Sequence, residues 1–211
     1  MNLNFSATCS IILNQQKRGS ASVTRVRLFF VYILFSFVSA MGLQLVTSEQ
    51  ANAYGAYVPE IKQVYSNWCW AASGAAVAQY KGKNVSQYDF AYAVKGGYYN
   101  NPATSYEIQK GLSHNGLTSR WTNYNGNWYY PNYSFIQSQI NNGRPMIPLI
   151  WWTNGATIGH FVVMDGYFTS NNTNYVEYMD PWYGDHYYMN YNSFKNNNNF
   201  YWRELIYDVG Y

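Results

Sequence analysis

QVYSNWCWAASGAAVAQY, residues 63–80, is the stretch from which the fold is read. From Cys69 onward it is rich in Ala, the residue that costs a helix least, and it meets Lys81-Gly82, so a helix over residues 69–80 is predicted. The polar loop Ser66-Asn67-Trp68 precedes it and leaves the cysteine at the helix start. Working outward, Ser86 is placed to cap a helix running through Val94 to Gly96-Gly97, and Ser105 to cap YEIQKGLSH. Ser134–Ile140 gives a fourth short helix. Beyond Arg144-Pro145 the period changes: MIPLIWW, HFVVMDGYF, NYVEYMD, DHYYMNY and FYWRELIYDV are short β-type runs separated by Asn, Gly or Pro. Helices first and strands afterwards predict an α+β fold built on an antiparallel sheet. Asn-Gly pairs at 115–116, 125–126, 142–143 and 154–155 are expected as turns.

The chain has 211 residues, of which 11% are charged and 20% aromatic, which excludes a disordered tail protein and a coiled coil. The formal charge is +3, but it all resides in residues 1–53, where Lys17, Arg18, Arg25 and Arg27 face only Glu49. The remaining residues carry nine charges of each sign, which leaves no basic surface for nucleic acid. Arg25 and Arg27 precede the apolar run Leu28–Leu43, which is followed by a polar stretch and Ala51-Asn52-Ala53. A positive flank, an apolar core and a small-x-small site describe a secretory signal. The run is shorter than the ~20 residues of a membrane span, so cleavage after Ala53 and secretion are expected, with no lasting membrane insertion. Residues 1–22 exceed what a signal needs, as an over-extended start would. The organisation expected is a leader over 1–53 and one domain over 54–211.

The two cysteines are Cys9, in the leader, and Cys69, so the exported domain has one thiol and no internal disulfide. A helix N-terminus favours negative charge, which is where a nucleophilic cysteine belongs. Gln63, six residues upstream, could supply one oxyanion donor and the Cys69 backbone N–H another. Of three histidines, His114 falls at a helix end and His186 reads as an exposed strand residue. His160 opens the apolar run GHFVVMDGY and is the expected base. The group that orients its ring is Asp165 or Asp180. Alternation places His160, Val162 and Met164 on one face and Asp165 on the other. A hairpin about Ser170–Thr173 would give cross-strand partners summing to 342–343, which brings Asp180 opposite His160 and favours it over Asp165.

NWCWAAS with Gln63 before it, then GHFVVMDGY, then MDPWYG, resemble the papain-like cysteine peptidases, most of all their compact bacterial branch of bacteriocin leader peptidases and secreted or effector proteases. The resemblance spans about residues 60–184. It implies a helical lobe packed against an antiparallel β-sheet lobe with the active site between them. It also implies Gln63 in the oxyanion hole, Cys69 as nucleophile, His160 as base and Asp180 as the group orienting it. Trp182 takes the place of the tryptophan that shields that pair from water, and Trp70 and Trp182 are the expected substrate contacts. Only residues 54–62 separate the expected cleavage site from Gln63, so no inhibitory propeptide is expected. Transporter segments like those fused to the leader peptidases are not seen, which points away from bacteriocin maturation.

The function expected is a secreted cysteine peptidase acting on peptide or protein, with no metal or cofactor. Two other readings share the residues. One is a cell-wall peptide amidase, endopeptidase or acyl transferase using the same site. The other is a non-catalytic module whose surplus Tyr, Trp and Asn bind carbohydrate or protein.

Overall fold

The computed structural model describes residues 54–123 and 130–211; the leader and the Asn125-Gly126 turn lie outside them. Chain order is β1 (Tyr54–Gly55), α1 (Cys69–Tyr80), α2 (Gln87–Lys95), α3 (Ser105–His114), β2 (Thr118–Asn123), α4 (Tyr133–Asn141), β3 (Ile147–Trp152), β4 (His160–Phe161), β5 (Val163–Ser170), β6 (Thr173–Asp180), β7 (Asp185–Asn190), α5 (Tyr191–Lys195) and β8 (Phe200–Gly210).

The helices start where polar side chains can take up their free N–H groups. Ser86 and Asp89 form a reciprocal capping box at α2. At α3 the cap lies one residue earlier than expected: Thr104 accepts from the Glu107 N–H while Glu107 accepts from Thr104, and Ser105 is already helical. The Ser105 hydroxyl instead donates to Glu204 Oε2 at 2.6 Å. Asn132 caps α4.

The strands form two antiparallel sheets, ordered β1-β5-β6-β7 and β2-β8-β3-β4. The α+β fold therefore holds, with one run serving both sheets. His160 and Phe161 pair with Ile150 and Leu149 of β3. After the Val162 N–H donates to Pro148 O, Val163 already pairs with Met179 of β6. β1, β2 and α5 are short elements that sequence periodicity did not mark; β2 and β1 gain their regularity by pairing with β8 and β5.

The β5–β6 hairpin turns at Asn171 and Asn172, both at positive φ, the geometry of a tight primed turn. Partners sum to 342 at Val163 and Met179 and to 343 from Gly166 and Glu177 onward, with Asp165 as the extra residue of a bulge between them. A bulge re-aims a side chain. Here it follows that Asp165, expected on the opposite face from His160, is fully buried at 0% exposure.

Trp68, Trp70, Phe90, Ile108 and Leu112 are buried with Leu149, Phe161 and Val163, which joins the helices to the sheets. Each large side chain so buried contributes about 1.5–3 kcal/mol. Phe90 lies in a cradle of two glycines. A Cβ at Gly74 of α1 would run into its ring, and one at Gly111 of α3 would stand 2.6 Å from it. The three helices approach closely there because neither neighbour has a side chain.

Candidate active site

Cys69 is the first residue of α1 and is 8% exposed. Trp68 in the N-cap position makes no side-chain cap, and the first turn holds no acidic residue. The positive end of the helix therefore faces the sulfur without a competing anion, and the leading N–H groups have no intrahelical acceptor. The loop before Cys69 is stitched down on one side. Trp68 Nε1 donates to Tyr99 O at 2.8 Å, Trp70 Nε1 to Asn101 O at 3.0 Å, and Asn67 donates twice to Asn100, from its backbone N–H to Oδ1 and from Nδ2 to the backbone carbonyl.

His160 reaches the same place from β4. Gly159 allows β4 to close on β3, since a Cβ there would stand 2.5 Å from Ile150 O. His160 Nε2 lies 2.6 Å from Asp180 Oδ1, and Cys69 lies close enough to the same ring to act on its charge. Trp152 stacks on the imidazole at 6.2 Å with the planes 21° apart. Burial opposes charge on this ring, but the bonds to Asp180 and Cys69 and their negative charge outweigh it and hold His160 at about 9. Asp180 ends β6 in one sheet while His160 belongs to the other, so this contact ties the two sheets together. Asp180 Oδ1 also accepts the Trp182 N–H at 2.9 Å, and its backbone carbonyl accepts from Tyr183 and Gly184, so a tight turn fixes the carboxylate.

Gln63 is held between the loop leading to Cys69 and the turn carrying Asp180. Its backbone N–H donates to Pro181 O at 2.8 Å, and its side-chain Nε2 donates to Tyr65 O at 2.9 Å and Ser66 O at 2.8 Å. Both amide hydrogens are therefore committed, and the buried Oε1 accepts from no described group. An oxyanion would have to draw one of these N–H bonds away from a backbone carbonyl.

The structure brings Cys69, His160 and Asp180 together and sets Gln63 beside their supporting loops. Trp182 is 52% exposed and lines a shallow concavity of ≈ 230 Å³ with Gln63, Tyr65 and Ser66. Trp70 is buried at 0% exposure, yet it also lines the cavity that borders Cys69. His114 ends α3, exposed. Among the described residues no group of three or more His, Cys, Asp or Glu could hold a metal ion.

A cavity of ≈ 330 Å³ borders Cys69, walled by Leu149, Trp151, Ile158 and Phe161 and closed by Arg203 and Glu204. Periodicity did not mark the last two. Leu149 pairs with Glu204 but Ile150 with Trp202, so Arg203 is bulged and both charges line one cavity. Glu204 Oε2 is bonded by Ser105 and Trp121, and Arg203 lies 4.0 Å over the Trp151 ring. The lining thus combines apolar side chains with the charges of Glu107, Arg203 and Glu204.

The chain is similar in fold to several solved structures. A double glycine motif protease from an AMS/PCAT transporter, in complex with the leader peptide, aligns at 23% identity and TM-score 0.50 over 73% of this chain and 93% of its own. A protein described as a C39-like peptidase from Bacillus anthracis aligns at 16% identity and TM-score 0.50, over 74% and 96%. Digestive procathepsin L 3 of Tenebrio molitor larval midgut aligns at 10% identity and TM-score 0.50, over 74% and 72%. No curated protein matches the chain. The Peptidase_C39 like family matches residues 55–208, nearly all of the described fold, and the chain belongs to that family of cysteine-type peptidases.

Proposed function

We propose that this peptidase cleaves peptide bonds through Cys69, His160 and Asp180, with Gln63 and the Cys69 N–H as oxyanion donors. The observation that carries the reading is the 2.6 Å contact of His160 Nε2 with Asp180 Oδ1, made on a ring that lies beside Cys69 at the start of α1. A ring held near 9 is protonated at neutral pH and supplies the positive charge that a thiolate nucleophile at Cys69 requires. The thiolate attacks the scissile carbonyl, and the oxygen takes up the electron pair beside the open N–H groups at the start of α1. His160 then gives its proton to the leaving amine, the C–N bond breaks, and a thioester remains on Cys69. His160, now neutral, takes a proton from water, which attacks the thioester and restores the thiolate. Asp180 keeps the ring oriented and stabilises its charge throughout.

Peptide as the substrate class is supported by the neighbour solved with a leader peptide and by the cavity beside Cys69, whose apolar residues Leu149, Ile158 and Phe161 suit a side chain of the bound peptide. Export with removal of residues 1–53 is supported by the basic flank, the apolar run and Ala51-Asn52-Ala53. N-terminal sequencing of secreted material should find Tyr54 first; residues 1–27 still attached would refute cleavage.

The test of the site is a broad epoxide inactivator of thiol peptidases followed by mass spectrometry of the digest. One adduct on Cys69 with loss of hydrolysis is expected. Hydrolysis that survives full modification of Cys69 would overturn the assignment.

A further inference from the structure

The titratable group that the reaction leaves unused is His186. Read from sequence as an exposed strand residue, it instead sits between carboxylates from two different segments. Its Nε2 lies 2.7 Å from Asp165 Oδ2 and its Nδ1 lies 3.2 Å from Glu60 Oε1. Tyr57 meets the ring edge-on at 6.0 Å and bonds Glu177 through its hydroxyl. Asp165 is the bulged residue of β5. Its Oδ2 also accepts the Val58 N–H at 2.9 Å, and its backbone carbonyl accepts the Ala56 N–H at 2.6 Å.

These contacts fall on one segment, residues 56–63, which has no regular secondary structure of its own and runs from β1 to Gln63. Asp165 holds it at 56 and 58, and His186 holds it at 60. Its far end is caught by Gln87, which accepts from the Val64 N–H and donates to Lys62 O, and by Pro181 O, which takes the Gln63 N–H. Gly184, just before β7, lets the backbone of Lys62 pass: a Cβ there would stand 2.7 Å from Lys62 N. The strap is thus registered against β5 and β7 before it delivers Gln63.

We propose that His186 is a positioning residue for Gln63: by bridging Asp165 of β5 and Glu60 of the strap, it fixes where residues 56–63 lie along the sheet and so where the Gln63 amide is presented. This rests on the oxyanion role proposed for Gln63. Burial pushes the Asp165 carboxyl up, and the same Asp165 bond, helped by Glu60, pushes His186 up to about 9. A fully buried carboxylate needs a counter-charge, and the imidazolium supplies it while leaving its second N–H for Glu60.

The test is a double-mutant cycle read on three quantities: kcat, KM and the rate at which iodoacetamide alkylates Cys69. Alkylation needs the thiolate but no oxyanion donor. His186→Ala should lower kcat by ~10-fold, less than the ~10²–10³ of losing an oxyanion donor outright, with KM and alkylation unchanged. In a Gln63→Ala background it should lower kcat no further. Glu60→Ala, which removes a partner whose side chain is 56% exposed, should cost ~2–3-fold in kcat. Should His186→Ala not fold, His186→Gln, which keeps a donor toward Asp165, takes its place in the cycle beside Glu60→Ala. Equal losses with and without Gln63, or slower Cys69 alkylation, would make His186 merely structural and overturn the proposal. A kcat loss in Gln63→Ala with none in the His186 and Glu60 variants would overturn it while sparing the oxyanion assignment. An unchanged kcat in Gln63→Ala would instead sink that assignment and the positioning role with it.

Discussion

Two histidine–aspartate contacts of nearly equal length lie in this molecule: His160 with Asp180 at 2.6 Å, and His186 with Asp165 at 2.7 Å. Both rings are held at about 9. In one the aspartate ends a strand, is fixed by a tight turn and touches a ring stacked under Trp152. In the other the aspartate is a bulged residue wholly inside the fold, and the His186 side chain is 23% exposed. What separates them chemically is the third partner: Cys69 lies beside His160, whereas the second nitrogen of His186 meets the Glu60 carboxylate. A raised imidazole beside an aspartate is therefore an anchoring device as readily as a proton carrier, and the third partner decides which.

The sharpest way to break this comparison is to remove each ring in turn. Cys69→Ala should abolish hydrolysis, and His160→Ala should lower kcat/KM by at least ~10³, within the range for a general acid–base group. His186→Ala should lose no more than ~10-fold, as expected of misplacement without loss of a reacting group. Turnover of a fluorogenic peptide by variants checked by circular dichroism decides it, and equal losses at the two histidines would erase the distinction.

The aspartates should differ next. Asp180→Ala should cost ~10²-fold in kcat and Asp180→Asn ~10-fold, since the amide still orients the ring while its charge is gone. In both, His160 falls from about 9, so the alkaline limb of kcat against pH moves toward acid. Asp165→Ala should leave that limb where it is and instead destabilise by about 3 kcal/mol in urea unfolding, because Val58 N–H and His186 lose their buried acceptor. A shifted limb in Asp165→Ala with none in Asp180→Ala would exchange the two roles.

The last contrast is in stability against pH. Both rings sit at about 9 in the fold against ~6.5 unfolded, so the stabilisation from their protons is complete below ~6.5 and is lost as pH rises through about 9. The thermal midpoint should fall between pH 7 and 10, and His186→Gln should flatten that slope while retaining the share from His160. An unchanged slope would mean that the second pair carries no imidazolium.

Much of this was legible in the sequence because it depends on local rules. Cys69–Tyr80 is the helix its composition implies, and alternation with a short turn is enough to give the 342–343 register of the β5–β6 hairpin. The misses share a cause. A bulge leaves no local signature, so the inward turn of Asp165 and the placing of Arg203 and Glu204 in one cavity are invisible to periodicity. His186 looked exposed because nothing in β7 reveals that residues 56–63 lie across it. Gln63 stands at the spacing expected of an oxyanion donor, but the commitment of its amide to the Tyr65 and Ser66 carbonyls depends on a turn that only three dimensions show.

The glycine cradle around Phe90 carries a lesson for anyone wishing to harden this enzyme. Replacing helical glycine by alanine is a common stabilising change, worth about 0.5–1 kcal/mol each. At Gly74 and Gly111 the rule inverts, since the added methyl would strike an aromatic ring that has nowhere to go. The helical layer therefore cannot be improved one position at a time. The route that respects its geometry is a coupled exchange, a smaller residue at 90 together with alanine at 74, which moves volume from the ring into α1, while Gly111 stays as it is because a Cβ there would also stand 2.7 Å from Val94 Cγ2.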